Sequence, residues 1–190
     1  MQFEWINIYS EFATKLLEFK NNRAKLIADI QSAYSAINMK LPKLEREDSI
    51  IDIDPFTVFG LFNKGITNAN RIAILESFAT VFKIKSKVPN NFDGIPVLNN
   101  LKATYYGFKD DRQAADIDNL WGLYESAINL AEKDDAANRE IFTKWYDTVH
   151  DQLGIRWNIT MGLYWIRPYE FINLDSINRG FIVDPDNMPV

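Results

Sequence analysis

A chain of 190 residues with 47% hydrophobic side chains is long enough to bury one sizeable core, and its 14% aromatic content needs that core, which excludes disorder over most of the length. The absence of cysteine excludes disulfides, thiolate zinc sites and cysteine nucleophiles together. The net charge of −5 belongs to the second half: residues 1–95 hold 12 Lys+Arg against 11 Asp+Glu, residues 96–190 hold 9 against 15, and residues 110–151 alone hold 4 against 11, a field that repels a phosphate backbone.

The N-terminus has no basic stretch before an apolar run, and no window approaches the ~18 to 20 apolar residues of a membrane span. The expectation is a soluble, cytoplasmic protein. Residues 3–19 place Trp5/Ile6, Tyr9, Phe12/Ala13 and Leu16/Leu17 at spacings of three and four, which predicts an amphipathic helix. Asn21-Asn22 interrupts the pattern and Leu26/Ile27, Ile30, Ala33/Tyr34 and Ile37 resume it, giving two helices or one bent one. Residues 41–49 read as a solvated loop and residues 50–53 as extended. Asp54-Pro55 is an N-cap followed by the residue suited to the first helical position, so a short helix is expected over residues 56–62. Thr67 or Asn68 caps the next, over 69–82, with Ile72, Leu75, Phe78 and Phe82 inward and Arg71 outward.

Residues 83–88 alternate charged and apolar side chains, as a short strand or an extended connector. Asp93-Gly94 marks a turn, and residues 98–108 are expected to form a helix ending near Gly107. Two more helices are predicted over 116–131 and 141–153, with Gly154 as a stop. A further helix over 155–166 ends where Pro168 removes a donor and pushes Arg167 out of the α region. Asp175 or Ser176 caps a last one, closed by Arg179-Gly180 before Phe181 and Ile182 dock. The fold class is therefore mostly α: a single helical domain of about seven to eight helices with short extended connectors over residues 1–183, then a linker or tail at 184–190. The alternative is α+β, with residues 50–53, 83–88 and 181–183 in a small sheet.

Chemistry-bearing patterns are sparse. No phosphate-cradling glycine loop, dinucleotide fingerprint or nucleophile elbow is present, so no cofactor, metal site or catalytic residue is expected. Asp52-x-Asp54 before a proline reads as capping rather than a metal site, and His150, the only histidine, as a solvated helix end. What stands out is aromatic rings interleaved with arginine and amide side chains: Arg156-Trp157-Asn158, Trp165-Ile166-Arg167-Pro168-Tyr169 and Asn178-Arg179. Arginine and asparagine contact phosphates and base edges, and exposed rings stack on unpaired bases. Buried rings with arginines reaching the surface give the same pattern. With Lys64 and Arg71 from the basic stretch 64–87, the candidate nucleic-acid-binding residues are Lys64, Arg71, Arg156, Trp157, Asn158, Trp165, Arg167, Tyr169, Asn178 and Arg179.

The ordered series Trp5…Tyr9…Leu16-Leu17…Asn22-Arg23…Leu26-Ile27, Asp54-Pro55-Phe56-Thr57…Phe62-Asn63-Lys64-Gly65, Asn70-Arg71, Phe92-Asp93-Gly94-Ile95-Pro96-Val97-Leu98, Leu120-Trp121 and Met161-Gly162-Leu163-Tyr164-Trp165-Ile166-Arg167-Pro168…Phe171-Ile172-Asn173-Leu174-Asp175 resembles the N-terminal region of bacterial McrB-like AAA+ proteins, GTPase subunits of methylcytosine-specific restriction systems. The resemblance implies a non-catalytic DNA-recognition or targeting domain of a defence system. Its implied partners are DNA carrying a modified cytosine such as 5-methylcytosine, a downstream AAA+ GTPase module and a separate nuclease subunit. The other expectation is an assembly module of the same system with no direct DNA contact, which the acidic second half favours.

Overall fold

The structure, a computed structural model, describes residues 3–47, 49–99, 104–184 and 187. Among them are eight α-helices: α1 (Ile6–Leu16), α2 (Arg23–Ala36), α3 (Pro55–Gly60), α4 (Asn68–Phe82), α5 (Asp116–Glu132), α6 (Ala136–His150), α7 (Asn158–Ile166) and α8 (Ser176–Val183). The described residues contain no strand, only an isolated bridge between Lys64 and Leu98, so the fold is mostly α and the small sheet is not formed. None of their helices is long and apolar enough to cross a membrane.

Helix starts follow local chemistry. The N–H of Thr57 donates to Asp54 Oδ1 (3.0 Å), that of Asn70 to Thr67 Oγ1 (3.2 Å) and that of Asn138 to Asp135 Oδ1 (2.9 Å), each cap contributing about 1 kcal/mol. Asn22 leaves the helical region (φ −142°, ψ 58°) and its side chain accepts from the N–H of Lys25, so the first apolar stripe makes two helices, α1 and α2, joined by a 3₁₀ turn at Leu17–Phe19. Connector 83–88 is no strand because its donors are taken: the N–H groups of Lys85 and Ser86 both donate to the Glu11 carboxylate of α1 at 2.8 Å. Hydrogen bonding from the Ser86 side chain, with these two backbone N–H groups, holds the Glu11 carboxyl below its usual range.

The core is organised around α3, all six residues of which are buried. A helix apolar on every side must be enclosed, and α3 packs against α5 and α7 while α1 lies across α7 and α4. Gly162 lets α7 approach, since a Cβ there would sit 2.6 Å from Phe56 Cδ1. Tyr9 and Phe12 of α1, Phe59 of α3 and Phe62 just beyond it, with Phe78 and Phe82 of α4, form one cluster of tilted and edge-on rings, centroids 5.3–6.0 Å apart. Each buried ring contributes roughly 1.5–3 kcal/mol by leaving water. α2 pairs with α4, and α6 packs on α5 at the edge of the molecule.

Four expectations need correction. Arg71 points inward: it is 5% exposed, its Nε donating to Phe62 O (2.7 Å) and its guanidinium lying over the Phe92 ring (4.9 Å). The helix expected over 98–108 is absent from 104–108, and residues 100–103 lie outside the described ones. Helix α7 starts at Asn158 rather than 155, because Gly154 and Arg156 both adopt positive φ (88° and 43°). Finally, α8 runs through Gly180 to Val183, and Phe181 and Ile182 stay exposed instead of docking. Most of the tail 184–190 lies outside the described residues.

Candidate functional site

The ten residues singled out in the sequence separate into two groups. Arg71, Trp165 and Arg167 serve the interior. Trp165 is fully buried, its Nε1 donating to Pro96 O (2.9 Å), so its ring has no face for a base. Arg167 donates to the carbonyls of Ser10 (3.3 Å) and Ile166 (2.8 Å) and to Thr14 Oγ1 (3.0 Å), with Glu132 4.0 Å away. Burial lowers the pKa values of Arg167, Arg71 and the half-buried Lys64, all three being partly desolvated. Asn158 lends its carbonyl to Tyr105 Oη (3.1 Å). Arg167 therefore faces α1, and the three arginines of the C-terminal stretch do not form one basic face.

Trp157 and Arg179 do come together at the surface, whereas Arg156 and Asn178 are exposed beside them in sequence, and Tyr169 is exposed on the turn after Pro168. The positive φ at Arg156 turns the chain into α7 and leaves Trp157 42% exposed at its start. The guanidinium of Arg179, on α8, lies 5.1 Å over the Trp157 ring. Its Nε is buried without a hydrogen-bond partner, and neither Arg156 nor Arg179 makes an ion pair among the described residues. Between Trp157 and α8 lies a shallow cleft of ≈ 430 Å³ whose walls include Leu174, Ile182 and Val183.

Helix α8 is held by its start and, along its sides, by Arg179 over Trp157. Asp175 Oδ1 accepts from the N–H groups of Ile177 (3.0 Å) and Asn178 (2.9 Å), and Asn173 Nδ2 donates to Asp175 Oδ2 (2.9 Å). Asn178 Nδ2 returns to Asn173 O (2.8 Å). No residue of the helix is buried, although Ile177, Phe181, Ile182 and Val183 make up half of it.

A run of half-buried rings leads to this surface along α6. Phe171 stacks on Phe142 (5.2 Å, 26°), Phe142 meets Tyr146 (5.9 Å), Tyr146 meets His150 (5.9 Å), and His150 meets Trp157 edge-on (6.0 Å). Burial, with Asp147 adding to it, raises the Tyr146 pKa. His150 Nδ1 lies 3.0 Å from Asp151 Oδ1. Sequence reasoning passed over this run; the i, i+4, i+8 spacing of Phe142, Tyr146 and His150 was the available signal. The surface has the composition of a binding hot spot, with Trp, Tyr and Arg beside exposed aliphatics. Among the described residues no group of acidic or histidine side chains could hold a metal ion.

The chain belongs to a family described as a domain of unknown function, DUF8425, whose model matches residues 5–188. No curated protein and no solved structure matches it.

Proposed function

We propose that this chain is a non-catalytic docking module whose α8 and Trp157 receive a partner protein segment that is both apolar and acidic. The observation that carries the reading is α8 itself, a capped helix with four large apolar side chains and none buried. Arg156 and Arg179, without ion pairs of their own among the described residues, supply the charge that selects an acidic partner. In the system that the McrB-like resemblance implies, the partner segment belongs to the AAA+ module or the nuclease subunit. The test is titration with a fluorescent synthetic helix of leucine and glutamate. Saturable binding that is lost in Trp157→Ala and weakened in Arg179→Ala is expected; no binding at low salt refutes the reading.

A second reading, DNA targeting, has a specific observation behind it: Arg179, without an ion pair among the described residues, lies over the exposed ring of Trp157. Under it, gel shifts at low salt detect a methylated or unmethylated duplex, and Arg179→Ala flattens the salt slope by roughly one charge. The acidic second half and the burial of Arg71, Trp165 and Arg167 make it the weaker of the two.

A further inference from the structure

The residues leading into α8 line a second cleft, of chemistry opposite to the one at Trp157. It has a volume of ≈ 400 Å³ and lies between loop 94–96, Tyr164 of α7 and the segment from Pro168 to Asn178. It shares no lining residue with the cleft at Trp157. Pro96, Tyr164, Phe171 and Ile172 give it apolar faces, Ile172 being 69% exposed. Asn173 also lines it and is only 8% exposed, yet its Oδ1 is buried with no hydrogen-bond partner. Asp175 settles which way that amide points: Nδ2 donates to Asp175 Oδ2 (2.9 Å), and the reversed amide would set an oxygen against a carboxylate. The orphaned atom is therefore an acceptor.

Asp175 supplies the charge. Its Oδ1 accepts two N–H groups of α8 and its Oδ2 accepts from Asn173, which leaves one lone pair of the carboxylate unused. Asp175 makes no ion pair among the described residues, and no lysine or arginine among them lines the cleft. The arginines nearest in sequence are turned elsewhere, Arg167 to Ser10 and Thr14 of α1 and Arg179 over Trp157. Apolar and aromatic faces, unpaired acceptors and an uncompensated carboxylate together select a flat cationic donor. We infer that this cleft binds the arginine side chain of a partner protein, the guanidinium lying against the Tyr164 ring and donating to Asn173 Oδ1 and Asp175 Oδ2. Lysine fits less well, because its ammonium is strongly hydrated and has no flat face. The site goes beyond the docking reading and stands whether or not the cleft at Trp157 is filled.

NMR titration of the intact, isotope-labelled chain with N-acetyl-arginine methylamide at low salt tests it. Saturable shifts of the Asn173 side-chain amide and of the Ile172 and Tyr164 signals are expected, with a dissociation constant on the order of 1–10 mM for so small a probe. The citrulline counterpart, alike in shape but neutral, and the lysine counterpart should each bind about fivefold more weakly. Ile172→Lys adds a cation at an exposed position beside the site and should weaken the arginine probe about threefold, a difference that about 0.5 M salt removes. Asp175→Asn keeps the cap of α8, because asparagine caps as well as aspartate, but removes the charge and lets the Asn173 amide turn over so that its oxygen gains a partner. The probe should then bind at least about tenfold more weakly. A thermal melt of each variant verifies folding. No shift around Asn173 with about 50 mM probe overturns the inference. Equal binding of the citrulline or lysine counterpart does so too, as does binding indifferent to both substitutions. The leucine–glutamate helix, read out at Trp157, tests the docking reading separately, so either can fail alone.

Discussion

Replacing Asp54 by asparagine isolates the cost of keeping a charge inside this core. Asp54 is fully buried: Oδ1 accepts the Thr57 N–H that starts α3, while Oδ2 has no partner. Burial pushes its pKa from 3.8 up to about 6, against the lowering effect of the Thr57 hydrogen bonds. Because the folded value lies above the unfolded one, the contribution is most favourable below the unfolded pKa and is lost as pH rises through about 6. Above that pH both states are ionised and the folded one carries a penalty of about 3 kcal/mol, from a shift of roughly two units at 1.36 kcal/mol each. Asparagine keeps the capping oxygen and has no charge to bury. Its amide is as unpaired as the neutral carboxyl it replaces, so the two should match at low pH. Asp54→Asn should then gain up to about 3 kcal/mol at pH 7.5, roughly 6–12 °C in Tm for a chain this size, and almost nothing near pH 4. Urea and thermal unfolding followed by circular dichroism at both pH values measure this, and the difference between variants cancels the titration of other carboxylates. A variant less stable than wild type at pH 7.5, or a gain equal at both pH values, refutes the argument.

Arg167→Ala removes the bonds that join the end of α7 to Ser10 and Thr14 of α1, and should cost about 1–3 kcal/mol in urea unfolding without affecting nucleic-acid or peptide binding. An unchanged midpoint would mean that the Ser10 carbonyl and the Thr14 hydroxyl find water instead. Gly162→Ala drives a methyl against Phe56 in the core, so calorimetry should register a loss of about 1–3 kcal/mol. Gly122→Ala meets the Trp145 ring at 2.6 Å, on the edge helix; hydrogen exchange should quicken in α6 before it does in α3. Trp157→Ala, at an exposed ring, should leave Tm within about a degree of wild type, and a large drop would make that ring a structural prop rather than a binding surface.

Much of the fold is local and therefore legible in the chain. The stripes of α1, α2 and α5 state their own period, and Asp54-Pro55, Thr67 and Asp175 start helices through bonds to residues two or three positions on. A cap needs only its own turn, so it is the same inside or outside the folded protein. Lys85 and Ser86 show the limit: their alternating pattern permits a strand, and it is Glu11, 74 and 75 residues away, that takes their donors. The arginines show it again. Arg71, Arg156, Arg167 and Arg179 occupy similar aromatic and amide settings in sequence, yet two are satisfied by backbone carbonyls and two are not. Whether a guanidinium is solvated depends on which acceptors the packed chain leaves within reach. The same holds for α8, whose apolar residues would read identically docked or bare. Local patterning accounts for most of the helices and their inward faces, though not for residues 104–108 or for where α7 begins, whereas the cations and apolar side chains left for a partner are set by tertiary packing, because exposure is a property of what stands opposite a residue and not of the residue.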